Sequence, residues 1–261
     1  MNTLISSKTN SKITFLKKLS KKKYRDETNN FLIENLKIIC DAFKSGYSFE
    51  SLFIDAELLR KKDAMLSYLL SKTADYFIID ENINKYFSNL DTPSGICAVY
   101  KKIPGRIDIK KSIVYLNGVS DPGNMGTILR TAMAFGFANV VVDETCADVY
   151  NSKTIQAAKD SIFKLNIEKD SGCSLIKKIK TKMPIFTTRL EKAQDIADLG
   201  TVGNFCLVLG NEASGVSSEI QKISDKFLKI PISKNMESIN VAVAAGILFY
   251  TLTLGTAQPE M

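Results

Sequence analysis

The sequence predicts an α/β protein whose second half is an open, mostly parallel sheet. Three apolar runs carry that prediction: Ile113-Val114-Tyr115-Leu116, Phe205-Cys206-Leu207-Val208-Leu209 and Phe227-Leu228-Lys229-Ile230. Each reads as a buried strand, each leads to a short polar loop, and a helical pattern follows each loop. The loops span 121–126, 210–215 and 237–240. Ligands of such sheets sit beyond the carboxyl ends of the strands. Asn124, Glu212, Ser238 and Asn240 are therefore expected to converge on one site.

In chain order, residues 1–105 read as a smaller α/β unit. Helices are expected near 11–22, 35–44, 57–71 and 82–88, and strands at 52–54, 76–79 and 96–100. Pro104 and Gly105 then break regular structure. Residues 106–111 are the expected linker and 112–261 the second domain. There a strand at 112–117 enters the first loop, and Asn124 is placed to cap the following helix. That helix should run to Phe135 and stop at Gly136. Further strands are expected at 140–142, 185–188, 205–209 and 227–230. The last helix should start at Ser238 as N-cap and carry Val241, Ala244, Ala245, Leu248 and Leu252 on one face. No internal repeat is evident.

Composition removes whole classes of chemistry. The 261 residues include no histidine, which excludes Ser-His-Asp and Cys-His nucleophile systems, histidine general bases and most zinc sites. Cys40, Cys97, Cys146, Cys173 and Cys206 are far apart with no CxxC spacing, so reduced thiols of a cytoplasmic protein are expected. The basic start lacks the apolar stretch of a secretory signal, and its single arginine does not suit a mitochondrial presequence. The longest apolar stretch, 241–254, is too short to span a bilayer. A soluble protein without metal is expected.

The net charge of +7 is uneven. Residues 1–25 hold eight Lys or Arg and no acid, and the rest of the chain is close to neutral. Such an arm fits RNA, because neutralising phosphates supplies sequence-independent affinity. Lys17, Lys18, Lys21, Lys22 and Arg25 are the expected contacts. A second reading stays open, in which Ile13, Leu16 and Leu19 pack inward and the lysines are merely solvated.

At its three loops the chain resembles the SpoU or TrmH branch of the SPOUT superfamily of RNA ribose methyltransferases. The motifs occur in order: D-P-G-N-M-G-T-I-L-R at 121–130, L-V-L-G-N-E-A-S-G-V-S at 207–217 and I-P-I-S-K-N-M-E-S-I-N-V-A-V-A at 230–244. Ile5-Ser6-Ser7 and the segment from Lys23-Tyr24-Arg25 to Phe31-Leu32-Ile33-Glu34 resemble the family's N-terminal, ribosomal-protein-like substrate-binding domain. The chain departs from the family pattern at Ala158-Lys159-Asp160, where a glycine-containing segment is usual, and at Asn35, where glycine follows the glutamate. The resemblance implies a C-terminal trefoil knot, a homodimer through that domain, and S-adenosylmethionine as cofactor.

Glycine lets backbone approach an adenine closely, which suits Gly210. The resemblance adds Ile230, Ile239 and Thr188 as cofactor contacts. It makes Arg130 the catalytic arginine, whose lasting positive charge can clamp a phosphate and stabilise a developing alkoxide. By resemblance Glu212 fixes its loop and orients Arg130, Asn124 positions Arg130 or the ribose, and Ser238 and Asn240 make substrate and loop contacts. Taken singly, Arg130 also fits a surface ion pair, Glu212 a turn carboxylate, and the others plain helix caps. Gly210 and Gly215 have P-loop spacing but Val216-Ser217 follows, and no G-x-G-x-x-G fingerprint occurs. The expected function is 2′-O-methylation of ribose in structured RNA, ribosomal above all. Transfer RNA and a non-catalytic RNA-binding role are the alternatives.

Overall fold

The protein is described by a computed structural model that covers residues 3–254; positions 255–261 of the second domain lie outside the described residues. Two compact units form. One holds the chain up to Ile103 together with Tyr150–Phe163, the other Pro104–Val149 and the chain from Lys164 onward.

In the first unit the order is β1 (Thr3–Ile5), α1 (Ser11–Lys18), α2 (Lys22–Thr28), β2 (Asn30–Ile33) and α3 (Leu36–Lys44). Then come β3 (Ser51–Asp55), α4 (Ala56–Arg60), α5 (Ala64–Ser71), β4 (Phe77–Ile79), α6 (Glu81–Phe87) and β5 (Ile96–Lys101). The sheet runs β1-β4-β3-β5-β2, with β5 antiparallel to both neighbours and the other pairs parallel. Ile13, Leu16 and Leu19 are buried against Phe53, Phe87 and Val99.

The helix expected at 11–22 stops at Lys18 and a second, unexpected helix begins at Lys22; Arg25 braces the turn between them. Its guanidinium donates to the carbonyls of Leu19 and Ser20, both at 2.8 Å, satisfying oxygens that the end of α1 leaves free. Arg25 is 4% exposed. It is thus a structural anchor, and its place among the expected RNA contacts is withdrawn. The helix expected at 57–71 is likewise split, because the Asp63 side chain accepts from the N–H groups of Met65 and Leu66 and starts α5 afresh.

The second unit contains β6 (Ile113–Leu116), α7 (Pro122–Ala134) and β7 (Asn139–Asp143). The short helix α8 (Ser152–Ala158) belongs to the first unit, and α9 (Ser161–Lys164) follows it. Back in the second unit are β8 (Asn166–Asp170), α10 (Ser174–Lys180), β9 (Ile185–Thr188), β10 (Gln194–Asp195) and β11 (Cys206–Leu209). The chain continues through α11 (Ser218–Ile223), β12 (Lys226–Lys229) and α12 (Val241–Leu254). The seven strands run β10-β12-β9-β11-β6-β7-β8, every neighbouring pair parallel. Helix α12 buries Val241, Ala245, Leu248 and Leu252. None of the described helices is long and apolar enough to cross a membrane.

Both departures from the family pattern have a local physical consequence. Asn35 caps α3 by accepting from the Ile38 N–H at 3.1 Å. Lys159 has φ +58° and ψ −137°, a backbone conformation that side chains resist.

Glu34 is 4% exposed, and its Oε2 finds no hydrogen-bond partner, while Oε1 accepts from the Asn89 N–H at 3.2 Å. Burial raises its pKa, opposed by hydrogen bonds from Ser88 and Asn89 and by the charge of Lys17. A carboxyl raised in the folded state loses stability as pH climbs above the unfolded value, here 4.5. Glu34→Gln is therefore expected to raise the melting temperature at about pH 7 and to leave it unchanged at about pH 4, where both states hold the proton. Thermal denaturation at the two pH values measures this; an equal shift at both would show that the charge is not the cause.

Candidate active site

Parallel strands point their carboxyl ends the same way, so the loops after β6, β11 and β12 meet at one edge of the sheet. Two asparagines lock the first two loops. Asn117 accepts from the Ser217 N–H at 2.7 Å and donates to Asp143 at 2.5 Å. Asn211 donates to the Gly118 carbonyl at 2.8 Å and closes its own loop through the N–H groups of Ala213 and Ser214.

Helix α7 is capped by Asp121, which accepts from the Asn124 N–H at 2.7 Å, with Pro122 in the first turn. Asn124 is therefore not the cap expected from sequence, and its side chain is released for other partners. It donates to Glu212 Oε1 at 2.5 Å and accepts from Asn240 Nδ2 at 3.0 Å. One residue from each of the three loops thus joins a single chain, Asn240–Asn124–Glu212. The cap of α12 also moves from its expected position: Asn240, rather than Ser238, accepts from the N–H groups of Ala242 and Val243 at 2.9 and 3.3 Å.

Beside this chain opens a cleft of about 470 Å³, within the range of small-molecule sites. Thr188, Gly210, Ile230 and Ile239 all line it, as do Glu212 and Ser238. Leu209, Leu228 and Leu248 add apolar wall, while Arg189, Glu191 and Gln221 add polar groups that no motif singled out. Arg189 is held over the Phe227 ring at 5.0 Å. The Thr188 hydroxyl donates to the Val208 carbonyl at 3.2 Å. An apolar slot flanked by exposed backbone and charged ends can take a flat heterocycle joined to a polar tail.

Arg130 is exposed on α7 and does not line the cleft. Burial, then the Asp143 carboxylate, pushes the Cys146 thiol up to about 12, so it is a neutral thiol at physiological pH. In the first unit Lys17, Lys18, Lys21 and Lys22 are exposed, with Lys22 paired to Asp26 at 2.7 Å. Among the described residues no cluster of three metal-ligating side chains occurs.

Residues 111–250 match the SpoU rRNA Methylase family, and residues 10–98 match the MRM3-like substrate binding domain. The chain is 31% identical to the Bacillus subtilis 23S rRNA (guanosine(2553)-2′-O)-methyltransferase RlmP, over 95% of this chain and 98% of that one. It is 25% identical to the Streptomyces laurentii 23S rRNA (adenosine(1067)-2′-O)-methyltransferase, over 87% of this chain and 86% of that one. The AdoMet-bound rRNA methyltransferase from Sinorhizobium meliloti shares the fold, with a TM-score of 0.83 at 23% identity over 97% of this chain and 98% of that chain.

Gly210 tests the local geometry. A Cβ there would lie 2.4 Å from Gly215 C and 2.5 Å from Val216 N, both backbone atoms. Gly210→Ala should therefore displace the loop and cost about 1–3 kcal/mol, the scale of overpacking. Gly203→Ala, where nothing lies within 4 Å, should stay within about 0.5 kcal/mol of the parent. Urea unfolding of the two variants compares them directly.

Proposed function

Because the chain belongs to the SpoU rRNA methylase family, we propose that it methylates a ribose 2′-hydroxyl of structured RNA using S-adenosylmethionine. The observation that carries this reading is the cleft adjoining the Asn240–Asn124–Glu212 chain at the carboxyl ends of parallel strands. Ribosomal RNA is the favoured substrate, since relatives matching along most of this chain are named for positions in 23S rRNA. A non-catalytic role on the same fold would leave the Asn240–Asn124–Glu212 chain without a purpose. The reading places the enzyme in the cytoplasm, where its substrate is assembled.

The residues present fit the cofactor. Ile230 and Ile239 would flank the adenine, and the Gly210 backbone would approach it closely. Thr188 and the polar groups at the mouth would face the remainder. When bound, S-adenosylmethionine supplies an electrophilic methyl group on its sulfonium. In the transfer the S–CH3 bond would break to leave a neutral thioether, the ribose oxygen would take the methyl, and the hydroxyl proton would pass to solvent. Asn124, its amide fixed between Glu212 and Asn240, orients the ribose, and Ser238 and Asn240 hold the third loop against it.

Arg130 stabilises the alkoxide that develops on the ribose, because a guanidinium keeps its charge through the reaction. It follows Asn124 by six residues, which at 3.6 residues per turn sets it about 120° around α7. It therefore faces away from its own cleft. Helix α12 packs on α7 and leaves Val243, Ile247, Tyr250 and Leu254 exposed along one face, an apolar stripe of the kind that marks an interface. A homodimer through this stripe would carry Arg130 to the partner's cleft. The chain also passes from β12, separated from β6 by the two strands β9 and β11, back to α12 against α7. That return past the second loop supports the trefoil knot.

Two measurements test the proposal. The purified protein should bind S-adenosylmethionine in chelator-treated buffer, and calorimetry showing no heat from folded protein would overturn the cofactor assignment. In single-turnover methyl transfer, Arg130→Ala should lose about 10²–10³ in rate, the scale of one preorganised electrostatic partner. Arg130→Lys should recover part of that, keeping the charge without the planar fork. Mixing Arg130→Ala with Gly210→Ala protein should restore activity in hybrid dimers; no restoration would assign Arg130 to its own cleft.

A further inference from the structure

On the surface of the first unit, two lysines from separate segments converge on one exposed tyrosine. Lys8 Nζ lies 5.5 Å and Lys17 Nζ 5.6 Å from the centre of the Tyr86 ring. Tyr86 is 36% exposed on α6, which packs beside α1. Lys12, also on α1, lies 4.7 Å from the Phe77 ring. All three lysines are exposed, and Tyr86 is an apolar face kept wet where a core position would have hidden it.

From this arrangement we infer that Tyr86 is a stacking platform for an unpaired base of the RNA substrate, with Lys8 and Lys17 taking the flanking phosphates. The inference rests on the RNA-methylating function proposed above and adds the structural class of the substrate. An exposed cation–π contact is weaker than the stacking of a base on an aromatic ring. An arriving base therefore displaces the lysines, whose long side chains swing to the phosphates on either side of it. Bases inside a duplex are stacked on each other and cannot reach the ring, so the partner is a loop or bulge with a splayed nucleotide. The platform reads no sequence, because every base has a face to stack.

The test uses the full chain, a hairpin RNA and a blunt duplex of equal length. Tyr86→Leu, which keeps apolar bulk but loses the ring, should weaken hairpin binding about 5- to 150-fold with an unchanged salt slope. Duplex binding should not move, and Tyr86→Phe should match the parent. Replacing Lys8 and Lys17 by glutamine should lower the salt slope by roughly 0.7–0.9 per lost phosphate contact. In the parent protein, 5-iodouridine placed in the loop should crosslink to Tyr86, a readout independent of how the variants fold. Hairpin affinity unchanged in Tyr86→Leu, or crosslinks that avoid Tyr86, would overturn the platform while the lysine effect left the proposed function standing. Absence of any salt-dependent RNA binding by the parent would overturn both.

Discussion

Asn117 at the end of β6 holds the N–H of Ser217, and Asn211 at the end of β11 holds the carbonyl of Gly118. Each of two adjacent parallel strands is thereby tied to the loop that leaves the other. The site depends on this reciprocity. It fixes the tight return of the second loop, in which Gly210 lies against Gly215 and Val216. It also sets Glu212 opposite Asn124, and Asn124 in turn receives Asn240 from the third loop. Each bond is worth only about 1 kcal/mol net, so what they contribute is geometry more than stability. Asn117 further anchors Asp143, which brings the end of β7 into the same arrangement.

The strands beneath the site were legible because strands of a parallel sheet are buried on both faces and read as unbroken apolar runs. Val114, Tyr115, Leu207 and Val208 are all fully buried. Edge strand β8, with Asn166, Glu168 and Lys169 in it, gave no such signal and was missed. So was β10, which has only two residues. The convergence of Asn124, Glu212 and Asn240 could be read from the loops alone. The caps could not, since Asp121, Asn124, Ser238 and Asn240 are all good capping types and only geometry chooses among them. The Asp121-Pro122 step was the available clue, because proline favours the first helical turn. Arg25 defeated charge counting for a different reason: a formal charge says nothing of burial, and nothing in the charge count shows that the turn between α1 and α2 takes up its guanidinium through two carbonyls. Arg189 and Gln221 belong to no motif, and only the shape of the cleft brings them forward.

The two units solve opposite electrostatic problems. The first gathers lysines on its surface and tolerates a buried carboxyl, Glu34, close to Lys17. The second builds its polar centre from amides, carboxylates and backbone, with the thiols of Cys146 and Cys206 held neutral by burial. Amides keep the same donors and acceptors at any physiological pH. A chain without histidine thus places its fixed hydrogen-bond geometry where titrating groups would otherwise be used.

The hydrogen bonds that assemble the cleft join residues 88 to 116 positions apart. None can form until long stretches of chain have been closed into loops, at an entropic cost that grows with their length. Local helices face no such delay. Folding of the second unit is therefore slow for its size, and the loops around the cleft are the last part to become ordered. A molecule that occupies the cleft binds only the finished state, so by mass action it also completes the folding of the enzyme that will use it.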